Sequence, residues 1–184
     1  NTPSTLGDIS GDISITAGGA ILLDAKDATA NSHATIGHNA WAIEYPNTMQ
    51  GDITIQGASL TLLGGDNGHH MALIGEFGDP ESANQAINIT LSGDLVMTGG
   101  NYDSSAVHIG SLAQTFDGTL TQPITISAAN ITMTGGNANY SQAHIGGGWL
   151  SQEVTDHKIS GSNISVTASG TLTMVQGTGG SAIG

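Results

Sequence analysis

Short segments in which aliphatic and small polar residues alternate recur along the whole chain, and they sort into three phrases that return in a fixed order. The first reads Ile13-Ser14-Ile15, Ile53-Thr54-Ile55, Ile89-Thr90-Leu91, Ile124-Thr125-Ile126 and Ile164-Ser165-Val166. The second follows within ten residues, as Ile21-Leu22-Leu23, Leu60-Thr61-Leu62, Leu95-Val96-Met97, Ile131-Thr132-Met133 and Leu172-Thr173-Met174. The third closes on Ile-Gly, at Ile36-Gly37, Ile74-Gly75, Ile109-Gly110, Ile145-Gly146 and Ile183-Gly184, with spacings of 38, 35, 36 and 38 residues. A period near 36 would also suit helix-pair repeats, but the chain lacks the long 3.6-periodic stretches rich in Leu, Glu, Lys and Arg that these need. Period-2 alternation, Ile and Thr enrichment and bounding Gly, Asn, Asp or Ser read as strands.

Three short strands per repeat, five repeats and Gly-rich corners predict an all-β fold, a parallel β-helix or β-solenoid of about five coils. The coils are expected at about 11-50, 51-86, 87-123, 124-162 and 163-184, within a single domain over 1-184. The alternation sends Ile13, Ile15, Ile21, Leu23, Ala34 and Ile36 inward in the first coil and Ile53, Ile55, Leu60, Leu62, Ala72 and Ile74 in the second. Such aliphatic columns hold only when stacked, because one coil cannot cover its own core. Five coils at about 4.8 Å each make a rod about 24 Å long. Two outward columns follow on the first strand: Ser14, Thr54, Thr90, Thr125 and Ser165, and beside them Thr16, Gln56, Ser92, Ser127 and Thr167. From each Ile-Gly to the next first strand run connectors of low similarity, read as variable loops leaving one corner. The chain stops on Ser181-Ala182-Ile183-Gly184 in mid-coil, so both ends of the core are expected to be open unless more chain or another copy covers them.

Composition narrows the function. The chain of 184 residues has 2 basic residues, Lys26 and Lys158, against 15 acidic ones, a formal charge of -13, which excludes nucleic-acid binding by phosphate neutralisation. No apolar run approaches the roughly 20 residues of a membrane span, and the start lacks a basic segment followed by an apolar one. The absence of Cys excludes disulfides and thiolate metal sites.

The phrases NITMTGG, GDITI and AHIGGG, recurring with one order and spacing, resemble the β-helical repeats of large bacterial exoproteins. These are the filamentous-haemagglutinin-like adhesins of two-partner secretion and the biofilm-matrix adhesins. The resemblance covers nearly the whole chain and rests on motifs that specify a coil rather than a ligand. It implies a right-handed β-helix, export to the extracellular space or cell surface, and a role in adhesion.

Candidate chemistry is sparse. The carboxylates do not gather on one face as in β-helical lyases and hydrolases, so no catalytic residue is assigned and no enzyme is expected. His108 and His144 occupy the same outward position in adjacent coils, between Leu73 and Ala182; with no third ligand in the column they read as an exposed stacked pair, and no metal or other cofactor is expected. Their mutual repulsion when protonated predicts lower stability below about pH 6. The segment GGDNGHHMA departs from the calcium nonapeptide repeat, and the imperfect Ser/Thr columns make a poor ice-binding array. The aromatic residues sit outside the strands. Phe77, Phe116, Trp41, Tyr45 and Trp149 are in connectors, and Tyr102 and Tyr140 follow the Gly-Gly turns. They read as a lid over one flank, or as an exposed strip in which Trp41, Tyr45 and Trp149 bind a ligand.

The reading is a structural or adhesive extracellular β-solenoid, a rod segment of a bacterial surface or biofilm adhesin or fibre. The expected partner is a surface glycan or protein receptor. The alternatives are a carbohydrate-binding or carbohydrate-processing β-helix, and a filament subunit that forms a homo-oligomer by end-to-end stacking of coils.

Overall fold

A computed structural model of the chain describes residues 8–26, 33–38, 48–78, 82–112, 119–147, 158–159 and 163–183. Every regular element among them is a β-strand, and all strand pairs are parallel. Four five-stranded sheets each take one strand from each of five successive passes of the chain. The second sheet contains β2 (Ile13–Thr16), β6 (Ile53–Gly57), β10 (Ile87–Leu91), β14 (Ile124–Ala128) and β18 (Ile164–Ala168). The third contains β3 (Ala20–Asp24), β7 (Ser59–Leu63), β11 (Leu95–Thr98), β15 (Ile131–Thr134) and β19 (Leu172–Val175). The fourth contains β4 (Ala34–Ile36), β8 (Ala72–Ile74), β12 (Val107–Ile109), β16 (Ala143–Ile145) and β20 (Ser181–Ile183). These three sheets are the three recurring phrases, and the parallel β-solenoid expected from them is the fold observed.

The first sheet lies where only loops were expected. It contains β1 (Ile9–Ser10), β5 (Thr48–Gln50), β9 (Ser82–Asn84), β13 (Thr119–Thr121) and β17 (Lys158–Ile159), so each coil has four strands rather than three. Its strands are two or three residues long, and β5, β9 and β13 each bury one apolar side chain, Met49, Ala83 and Leu120. Segments this short carry no visible period.

One register also differs from expectation. Ile87 pairs with Ile53 and with Ile124, and Ile89 with Ile55 and Ile126. The outward columns of the second sheet therefore take Asn88 and Thr90 from the third coil, in place of Thr90 and Ser92. A two-residue slip keeps every side chain on its own face, so alternation alone cannot distinguish the two pairings. The observed one brings Ile87 into the core, where it is fully buried.

The interior is a continuous aliphatic cluster. Ile53, Ile55, Leu60, Leu62, Ile87, Leu95, Met97, Ile124, Ile131 and Met133 have no solvent exposure, and the flanking coils pack Ile13, Ile15, Ile21, Ile164 and Val166 against them. Polar ladders run up the corners. The Ala86 amide donates to Asp52 Oδ1 (2.9 Å) and the Asp52 amide to Asp12 Oδ1 (2.9 Å). Asn130 Nδ2 donates to Asp94 Oδ1 (2.8 Å), while Asn130 Oδ1 accepts from the Thr171 amide (3.0 Å). Asn101 Nδ2 donates to Asp66 Oδ1 (2.8 Å) and Asn137 Nδ2 to Asn101 Oδ1 (2.7 Å).

After β4, β8, β12 and β16 the chain turns at the Ile-Gly glycine. Gly37, Gly75, Gly110 and Gly146 have φ of +148°, +137°, +140° and +150°, a region L side chains avoid. The four glycines also stack: a Cβ on Gly110 would overlap the Gly146 carbonyl oxygen, and one on Gly75 that of Gly110.

Candidate functional site

The turn at this glycine column aims the following residues back across the outer side of the fourth sheet. Phe77 and Leu112 pair in a parallel bridge; the Phe77 amide donates to the His38 carbonyl (3.0 Å) and the Leu112 amide to the Glu76 carbonyl (2.8 Å). Phe77 and Leu112 join Met71, Leu73 and Ala106 in a second apolar cluster. The fourth-sheet strands β8, β12 and β16 are consequently buried on both faces. Phe77 thus performs the lid role expected of the connector aromatics.

His108 and His144 are directly paired in register, between Leu73 and Ala182, as expected, but they are buried rather than exposed: 1% and 9% accessible. The chain returns over the outer face of this sheet at Phe77 and Leu112, which strand alternation cannot reveal. Their rings meet edge to face with centroids 4.7 Å apart. His108 Nε2 lies 2.9 Å from the Gly146 carbonyl oxygen, which can only accept, so that nitrogen holds the proton. In the neutral ring Nδ1 is then an acceptor, and His144 Nδ1–H donates to it across 3.3 Å. The nitrogens that would ligate a shared ion are thus hydrogen-bonded to each other. No group of three His, Cys, Asp or Glu side chains among the described residues has metal-binding geometry. Burial, reinforced by the neighbouring His144, holds the His108 ring well below its ordinary titration range, against the opposing pull of the Gly146 and Ser111 backbone.

Two more ionisable groups share this flank. Glu76 is fully buried, neither carboxylate oxygen has a hydrogen-bond partner among the described residues, and burial pushes the carboxyl up to about 8. His33 packs its ring edge-on against Phe77 at 5.4 Å and is lowered by burial and by His70 and His69. Burial thus favours the neutral forms of Glu76, His33 and His108 on this flank.

The opposite character appears at the turn between the third and fourth sheets. There the Asp66–Asn101–Asn137 ladder runs beside Tyr102 and Tyr140, which are 54% and 36% exposed. A Cβ on Gly68 would lie 3.3 Å and 3.4 Å from two Tyr102 ring carbons, so the ring rests over the bare backbone of the preceding coil. Tyr140, like His69 and Ser104, has a left-handed backbone, with φ of +56° against +61° for the other two. The turn imposes this conformation whatever residue occupies it. The residues assigned to ligand binding from sequence, Trp41, Tyr45 and Trp149, lie outside the described residues, as does Phe116. Sequence reasoning passed over Tyr102 and Tyr140 as ligand contacts: both follow a Gly-Gly break, but two and four residues after it, so they occupy different positions of the turn and form no aromatic column in the repeat.

No helix among the described residues is long and apolar enough to cross a membrane. No family model, curated protein or solved structure matches the chain.

Proposed function

We propose that the chain is a structural and adhesive rod segment, displayed outside a bacterial cell on a surface or biofilm adhesin, with no catalytic role. The observation that carries the reading is the unbroken parallel pairing of all four sheets through five coils. A scaffold of this kind gains one coil spacing, about 4.8 Å, per repeat, and stacks its side chains into straight columns that resist bending. Regular coils supply reach, and the dissimilar connectors and turns supply recognition, in keeping with the resemblance to filamentous-haemagglutinin-like repeats. The partner this reading calls for is a surface glycan or a protein receptor. The test is retention under flow: latex beads coated with the chain are passed over bacterial biofilm and over epithelial monolayers. Retention well above beads carrying an unrelated acidic protein of equal charge is the expected result. Equal retention on every surface overturns the adhesive part, and release of reducing sugar from biofilm polysaccharide overturns the non-catalytic part.

A further inference from the structure

We propose that the turn edge between the third and fourth sheets is a binding strip for a neutral polysaccharide, with Tyr102 and Tyr140 as stacking platforms and the Asn101 and Asn137 amides as hydrogen-bonding groups. The inference rests on the adhesive reading and names its ligand class. Among the described residues, the other large hydrophobic side chains that stay exposed, Leu22, Leu172, Met174 and Val175, lie on the first and last coils. Tyr102 and Tyr140 are in the third and fourth coils, where the interior columns are closed, so coil ends do not account for their exposure. Each has a specific local reason to present a ring. Tyr102 is seated over Gly68, which supports one side of the ring while more than half of the residue remains open. Tyr140 occupies a left-handed position where Asn, Asp or Gly would be less strained, yet the position holds a bulky aromatic.

The polar groups beside the rings fit the same ligand. Asn101 and Asn137 each spend one amide N–H on the ladder, and the second N–H remains to donate to a hydroxyl. Tyrosine pairs an apolar ring with a hydroxyl, which matches a sugar's C–H face and its equatorial hydroxyls. Ladder residues recur at the coil spacing of about 4.8 Å, comparable to the advance of one pyranose along an extended glycan, so the chain would lie parallel to the rod axis. The sign of the charge selects among glycans. Asp66 stands at the foot of the ladder and Asp103 follows Tyr102, in a molecule of formal charge -13, which disfavours polyanions.

Affinity electrophoresis in gels containing hydroxyethylcellulose, galactomannan or alginate tests this, with melting temperatures measured in parallel. Retardation by at least one neutral polymer and none by alginate is expected. The double variant Tyr102→Ala/Tyr140→Ala is expected to bind at least fivefold more weakly, and Tyr102→Phe/Tyr140→Phe within about twofold of the parent. Nitration by tetranitromethane reads the unsubstituted chain directly: the neutral polymer should protect Tyr102 and Tyr140. Absence of retardation by both neutral polymers, an unchanged alanine variant, or protection confined to Tyr45 overturns the proposal. Beads retained on cells despite any of those results would leave the adhesive rod standing and move its recognition elsewhere.

Discussion

At the residue scale, the buried flank of the fourth sheet makes stability depend on pH in two opposite directions. Glu76 is raised from its ordinary 4.5 to about 8, so the folded chain holds that proton more tightly than the unfolded chain does. Its contribution is complete below about pH 4.5 and is lost as pH climbs to about 8, at up to about 1.4 kcal/mol per pH unit. His108 and His33 are lowered from 6.5. The folded state resists their protonation, so their contribution is complete above pH 6.5 and is lost as pH falls below it. Two histidines outweigh one carboxyl on the acid side, and the carboxyl acts alone above 6.5. The melting temperature is therefore expected to peak near pH 6.5. Thermal melts from pH 4.5 to 8.5 check this: Glu76→Gln should flatten the alkaline limb, and His108→Leu/His144→Leu should flatten part of the acid limb. A parent chain most stable at pH 8 contradicts the assignment. The acid limb agrees in direction with what two stacked histidines suggest from sequence, but the leading cause is burial, with their mutual repulsion second.

Among elements, the corners decide which substitutions the coil tolerates. Gly110→Ala forces a Cβ into the Gly146 carbonyl at φ +140°, and a loss on the order of 3 kcal/mol or more is expected. Gly18→Ala meets nothing within 4 Å and should stay within about 0.5 kcal/mol. Urea denaturation of the two variants measures the contrast, and equal midpoints would show that the glycine column is not what fixes the turn. The same corners mark how far the fold was legible. Ile13 to Met174 and the Ile-Gly phrases carried enough alternation to specify three sheets and their inward faces. The first sheet was illegible because Met49, Ala83 and Leu120 share neither size nor flanking pattern, and backbone pairing alone orders their strands. The burial of His108 was illegible for another reason: the outer face of its sheet is covered by Phe77 and Leu112, which cluster with its strand neighbour Leu73 and lie in segments that otherwise differ. Both residues nevertheless stand three places after their Ile-Gly isoleucine, an apolar period hidden inside dissimilar connectors. The tyrosine edge lay in plain view in the sequence, but only the closed central coils show that its exposure is not an end effect.

Over the whole molecule, each coil contacts only its neighbours, so stability is greatest in the middle of the stack and declines toward both ends. Leu95 and Met97 are fully buried, whereas their counterparts Leu172 and Met174 in the last coil are 49% and 43% exposed. Ile89→Ala should then cost about 2–5 kcal/mol, and Met174→Ala of the 184-residue chain well under half as much. Hydrogen exchange should rank the amides of Ile55, Ile89 and Ile126 as the slowest of the second sheet, ahead of Ile15 and Val166. Uniform protection across the five coils would count against a nearest-neighbour stack. The Asp66–Asn101–Asn137 ladder has one further consequence, for how such a rod can grow. When a coil is duplicated in place, each of its side chains comes to face its own copy. An asparagine tolerates that, since its amide both donates and accepts, whereas a duplicated aspartate sets two carboxylates about 4.8 Å apart. Asp12 and Asp52 do stack, but each carboxylate accepts a backbone amide from the next coil, whereas Asp66 accepts from the Asn101 side chain, a partner that a copied Asp66 would replace. Copying the coil that holds Asn137 should therefore extend the rod at less cost than copying the one that holds Asp66.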